Sequence, residues 1–416
     1  MAKSGTAYPH YASLNAGYQI ALSKGPAIPS TLKIVSLVVF ASTIFTRAVD
    51  PLIPKIAADL AIDAKTAALL STAFSFPYAL VQPVLGAAGD HFGKTRLMNF
   101  CLLMVALTAL VSAVATSFPL LFAMRVAAGC VAGGMFPIAL ALLGDLVPVH
   151  ERQVAIGRLL AVGLSGNLIG ASIAGVIADL FGWRGVFGLF GLFTLAVALT
   201  AYAALRGRRE GKPAPLSLGS AIAGFRSVFA DPRAKICFGA VFLEGTFIHG
   251  VFPYVALLLL ANGETRASIA GVVIAAFGFG GVIYSFLVRT LVARLPQPWL
   301  MAAGGSIVAG MLALIALNLL WYEQIAIFAG LGFGFYLLHG SIHVHVTELS
   351  ASARGAATSL HSSTFFFGQA LGPIFYGFTF SHGQAAASLW TGSVVMLAVG
   401  LVCARLLRHR SEIEAP

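Results

Sequence analysis

Twelve runs of mostly apolar residues, each bounded by a polar or charged break, set the limits on how this chain can fold. A helix rises about 1.5 Å per residue and a bilayer's hydrocarbon core is about 30 Å thick, so about 20 residues cross it. In lipid each backbone N–H and C=O needs a partner within the segment, and a helix supplies one. The runs lie at 34–57, 67–88, 97–117, 119–144, 157–180, 184–205, 236–260, 268–288, 299–319, 324–346, 356–380 and 386–406. The expected fold class is therefore all-α integral membrane, with twelve transmembrane helices. Composition agrees. Only 10% of the 416 residues are charged, against about 25% in soluble domains.

The charges that remain mark topology. Lys94, Arg96, Arg152, Arg158, the segment Arg206 to Lys235, Arg289, Arg294, Arg354, Arg405, Arg408 and Arg410 fall in alternate breaks. The other breaks hold Lys55, Lys65, Arg184 and Arg266. Basic loops stay in the cytoplasm, which places both termini there. The net charge of +11 is thus a topology signal and not a nucleic-acid surface. The four cysteines stand singly and form no disulfide framework. Residues 1–30 carry no cleavable signal pattern.

The longest polar break divides the runs six and six. The expected division is a cytoplasmic segment 1–31, a six-helix bundle 32–205, a cytoplasmic linker 206–235, a second bundle 236–407 and a cytoplasmic tail 408–416. The halves repeat at an offset of about 202 residues. RAVDP (47–51) aligns with HGVFP (249–253), GNLIGASIAG (166–175) with GQALGPIFYG (368–377), and GDLVPVHER (144–152) with TELSASAR (347–354). Parallel repeats of this kind belong to transporters whose substrate site lies between the halves near mid-membrane.

Ionisable groups inside a membrane are costly and point to function. Counting about 1.5 Å per residue, Arg47, Asp50 and Arg125 fall roughly 20–24 Å from the cytoplasmic edge. Glu244 falls at about 12 Å, His339 at roughly 8–10 Å, and His249 beyond the midplane. Burying either charge alone is expensive, so Asp50 is expected to pair with Arg47, three residues away, or with Arg125. Glu244 has no arginine in sequence reach. It is the preferred proton carrier, with a hydrogen-bonded structural carboxyl as the plainer reading.

The stretch HGSIHVHV (339–346) adds three histidines. His339 and His343 share a helix face, while His345 points elsewhere. Two ligands make a poor metal site, so no metal and no cofactor are expected. His339 is read as titrating or touching substrate, or as a histidine bonded to neighbouring helices. Glycines four apart, Gly166 with Gly170 and Gly368 with Gly372, the latter followed by Pro373, read as packing seams or gating hinges.

These pieces resemble the major facilitator superfamily over essentially the whole chain. GAAGDHFGKTR (86–96) resembles that family's loop signature through Gly86, Asp90, Gly93 and Lys94, with His91 in place of the usual arginine. RVAAGCVAGG (125–134) matches a fourth-span motif at Arg125 and Gly129. DPLIPKIAADL (50–60) resembles the first span of family exporters. GNLIGASIAG resembles an antiporter motif without its proline. FGFYLLHGS with TELSASARG resembles bacterial efflux permeases. The resemblance implies spans 1, 4, 7 and 10 around a central cavity, and a latch from Asp90 to the start of span 11 near Ser352 and Arg354. It further implies a monomer in a bacterial inner membrane. The expected activity is proton-coupled antiport that exports small organic or amphipathic compounds by alternating access. Import or facilitated passage of a metabolite is the alternative. An iron-dependent histidine-box membrane enzyme is the remote one.

Overall fold

The computed structural model describes residues 30–147, 149–206, 218–350 and 353–407. The terminal segments and most of the segment between the halves lie outside them. The described residues are helical throughout, with no strand among them. The helices are α1 (Ser30–Thr43), α2 (Ile53–Asp59), α3 (Ala64–Phe92), α4 (Lys94–Ala113), α5 (Phe118–Ala132), α6 (Met135–Leu146) and α7 (Val149–Leu205) in the first half. The second half holds α8 (Leu218–Phe229), α9 (Arg233–Phe247), α10 (Val255–Ala261), α11 (Ala267–Arg294), α12 (Gln297–Ala316), α13 (Trp321–Glu348), α14 (Arg354–Ser381) and α15 (Ala385–Leu406).

Nine of these stretches among the described residues are long and apolar enough to cross a membrane. One of them, within α7, counts twice. It turns back at Gly182, whose φ of 71° lies in the region a side chain rarely adopts. The broken first span and the more polar α14 complete the twelve.

Three expected continuous spans are interrupted. Between α1 and α2 the chain runs through turns and a short 3₁₀ segment, Asp50–Leu52. Between α9 and α10 it forms the 3₁₀ segment His249–Tyr254. Pro51 and Pro253, in register between the repeats, each lack the N–H that a helix ladder needs. Span 4 loosens between α5 and α6 at Gly133 and Gly134.

The repeat is visible in the packing. In the first half, span 1 packs on 5, span 2 on 4 and span 3 on 6; in the second, 7 packs on 11, 8 on 10 and 9 on 12. Gly166 and Gly170 sit against the backbone of span 1 at Phe40 and Ile44. Gly368 and Gly372 sit against span 7 at Phe242, Thr246 and Gly250. A methyl group at any of the four would overlap the facing helix.

Two seams join the halves: α3 against α14, and the first arm of α7 against α11. Among the described residues, the hydrogen bonds between them crowd toward the end of the bundle that carries the Asp63 and Gly182 turns. Asp179 accepts from the backbone N–H groups of Ala267 and Ser268 at 2.9 Å each, and Lys55 Nζ lies 3.0 Å from its carboxylate. Ser172 donates to the Gly271 carbonyl at 3.3 Å and Thr72 to that of Ala370 at 2.7 Å. At the opposite end, Lys94 pairs with Asp145 within the first half and Arg233 with Glu348 within the second. Asp145 and Glu348 are repeat mates.

Candidate functional site

Arg47 and Asp50 lie in the irregular stretch of span 1 and are buried. Arg47 Nη1 approaches Asp50 Oδ2 at 3.3 Å. Ser71 donates to the other Asp50 oxygen at 2.6 Å. Arg47 Nη2 donates to Gln369 Oε1 at 2.9 Å, and Gln369 Nε2 donates to Ser75 Oγ at 2.9 Å. A chain of polar contacts therefore runs from span 1 to span 11 and on to span 2, tying the halves together at depth. The Arg47 guanidinium also stands 4.5 Å over the Phe252 ring, from the broken part of span 7.

Arg125 does not form the alternative pair with Asp50. Its Nε donates to the Leu70 carbonyl at 3.3 Å and its Nη1 to that of Phe45 at 3.4 Å, with the guanidinium 4.3 Å over Phe74. Phe45 lies where the helix ladder of span 1 stops, so its carbonyl needs another donor. Its repeat mate Phe247, at the end of α9, is served in the same way by the Tyr376 hydroxyl at 2.8 Å.

In the second half the Glu244 side chain is fully buried, and its Oε2 lies 2.7 Å from His339 Nδ1. Glu244 Oε1 is buried with no protein partner. The His339 ring stacks on Phe335 at 4.7 Å and retains 22% of its side-chain exposure. A third imidazole joins it, from outside the HGSIHVHV stretch. His361 of α14 lies 4.8 Å from His339 and 4.8 Å from His343, centre to centre. His361 is buried and its Nε2 has no partner. His249 is enclosed by Phe252, Phe277, Phe335 and Phe365, with ring centres 4.8–5.1 Å away. Among the described residues no group of three or more His, Cys, Asp or Glu side chains is placed to hold a metal ion.

The structure thus brings Arg47 and Asp50 together, and Glu244 and His339. Arg125 and His249 stand beside these pairs without joining them. Gly93 has a φ of 94° and makes the tight turn between α3 and α4. Gly86 lies within α3. The expected latch cannot be followed, because the Asp90 side chain and Ser352 lie outside the described residues. Lys94 of the same loop reaches Asp145 at 2.6 Å. Pro373 lends its carbonyl to the Tyr254 hydroxyl at 2.7 Å. Sequence reasoning missed Ser71, Ser75, Gln369 and His361. All four sit on spans 2 and 11, and the repeat itself had marked Gln369, inside the glycine seam of span 11.

Comparison with known proteins agrees with the architecture. The family model of the Major Facilitator Superfamily matches residues 35–351. Across 94% of its length the chain is 24% identical to the uncharacterized MFS-type transporter YfhI of Bacillus subtilis, covering 96% of that protein. It is 29% identical to a chloramphenicol resistance protein of Streptomyces lividans, over 88% of this chain and 93% of the other. A bacterial homologue of the human lysosomal transporter Spinster, in an inward-facing and unoccupied conformation, superposes with a TM-score of 0.73 at 19% identity, covering 92% and 96% of the two chains. Helices that bury a polar core between two six-helix bundles define a membrane transporter rather than an enzyme. The chain belongs to the Major Facilitator Superfamily.

Proposed function

We propose that this chain is a proton-coupled antiporter that exports small organic or amphipathic compounds by alternating access. The observation that carries the reading is the fully buried Glu244 bonded to a partly exposed histidine. A carboxyl in such a place exchanges protons in step with its access to water, because its charged form is costly until water reaches it. Asp50 differs. Arg47 and Ser71 compensate its charge, so it serves as a fixed member of the seal between the halves.

The positive-inside pattern puts the Lys94–Asp145 and Arg233–Glu348 end in the cytoplasm of a bacterial inner membrane, with both termini on that side. The cross-half bonds then seal the outer end. The aromatic rings around His249 and His339 suit apolar and aromatic solutes better than polyanions, which need several converging basic groups. Export is supported by the relative's name, a chloramphenicol resistance protein. The protein works as a monomer.

The test is transport in liposomes, with chloramphenicol and a panel of amphipathic dyes as probes. Glu244→Gln is expected to abolish flux driven by a pH gradient while probe binding, read by thermal shift, survives. Undiminished pH-driven flux in that variant removes Glu244 from the coupling role.

A further inference from the structure

From Glu244 a file of histidine side chains leads toward the cytoplasmic end of the bundle. We propose that His339, His361 and His343 form a proton path from Glu244 to that end of the membrane, running between spans 10 and 11. The inference rests on the reading of Glu244 as the proton carrier, and it assigns His361 and His343 roles that reading does not contain.

The geometry follows in order. Glu244 Oε2 meets His339 Nδ1 at 2.7 Å. His339 and His343 stand one turn apart on α13, and His361 of α14 lies between them at 4.8 Å from each ring. At that ring separation facing nitrogens are within a hydrogen bond or one bridging water. His361 is buried, with Nε2 unpartnered. A buried imidazole nitrogen without a partner carries a desolvation cost that a structural histidine avoids. A nitrogen that takes up and passes on a proton has to remain available. Glu244 has 0% side-chain exposure, and the far member, His343, is partly exposed one turn before the end of α13.

The other direction is lined mainly by aromatic rings. Phe335 and Phe365 lie against His339 at 4.7 and 5.4 Å, and both also border His249. Between Glu244 and the Arg47–Asp50 pair stands His249, buried among phenylalanine rings with its Nδ1 unpartnered. The other titratable groups near Glu244 are the thiol of Cys403 on α15, with Cys237 beside it, and His249, which meets the Glu244 backbone. Both cysteines are buried.

Each step conserves its proton. An imidazole accepts one on one ring nitrogen and releases the proton held on the other. Glu244 gives its proton to His339, His339 to His361, and His361 to His343, which passes it to water. Uptake reverses the order. The buried path lets Glu244 exchange its proton while a solute covers the open side of His339.

The test needs no identified substrate. Purified protein in nanodiscs is subjected to a rapid pH jump, and the infrared band of protonated carboxyl groups is followed in time. Glu244→Gln should remove one component of that band, identifying it. His361→Ala should slow that component at least tenfold, and added imidazole should restore the rate, which a merely structural role would not do. His343→Ala, at a partly exposed position, should slow it as well and decides the question if His361→Ala does not fold. An unchanged rate in the folded histidine variants overturns the path and leaves Glu244 as carrier. Persistence of the whole band in Glu244→Gln overturns the carrier reading itself.

Discussion

Glu244 of α9 and His339 of α13 bind each other at 2.7 Å, and the carboxylate's second oxygen has no hydrogen-bond partner. The pair links two spans that otherwise meet mainly through apolar side chains. Removing one partner leaves the other buried and unsatisfied, at a cost of about 1–3 kcal/mol. His339→Leu and Glu244→Leu should therefore each lower the melting temperature in detergent. The double substitution should lower it less than the two single effects added together. Additive shifts would show that the two side chains stabilise their helices separately.

Asp179 bridges the halves by accepting from the first N–H groups of α11 while Lys55 pairs with its Oδ1. A carboxylate at a helix N-terminus is bound by unpaired donors and by the helix dipole. A charge-assisted bond is worth about 1.5–3 kcal/mol, which is a population shift of roughly 10- to 150-fold. Asp179→Ala should therefore move the protein toward a form open at this end. Spin labels at Ala58 and Thr265 should report a longer distance whose share grows by that factor. An unaltered distance distribution would remove Asp179 from the seal.

Gly372 and Gly310 offer a matched comparison. Gly372 abuts the backbone of Gly250 and Thr246, whereas nothing stands within 4 Å of where a side chain at Gly310 would begin. Gly372→Val should yield little monodisperse protein by size-exclusion chromatography, because a packed helix pair cannot yield by the width of a side chain. Gly310→Ala should be neutral or slightly stabilising, since alanine is the better helix former. Equal behaviour of the two would mean that the span 7–11 seam is loose.

The span count and the six-plus-six repeat were legible because hydropathy and register are local in sequence. The Arg47–Asp50 pair was legible for the same reason, since its members lie three residues apart. Partners that come from distant spans were not. Ser71 and Gln369 look like ordinary polar residues on apolar helices until Asp50 and Arg47 are placed beside them. The histidine cluster shows the limit most clearly. HGSIHVHV drew attention to itself by density, while its third member, His361, stands alone in sequence and joins only through the packing of α13 on α14. The interruption of spans 1 and 7 had a visible cue in Pro51 and Pro253. The long apolar runs around those prolines outweighed it.

The carbonyls of Phe45 and Phe247 occupy equivalent places in the two halves, and a distant side chain pegs each one. The pegs differ in kind. Arg125 brings a cation close to Asp50, while Tyr376 brings a neutral hydroxyl. A change in the ionic state of Asp50 is therefore felt by the group that pegs the bend of span 1, whereas the peg at the bend of span 7 carries no charge to respond. The two halves thus hold equivalent bends by different means.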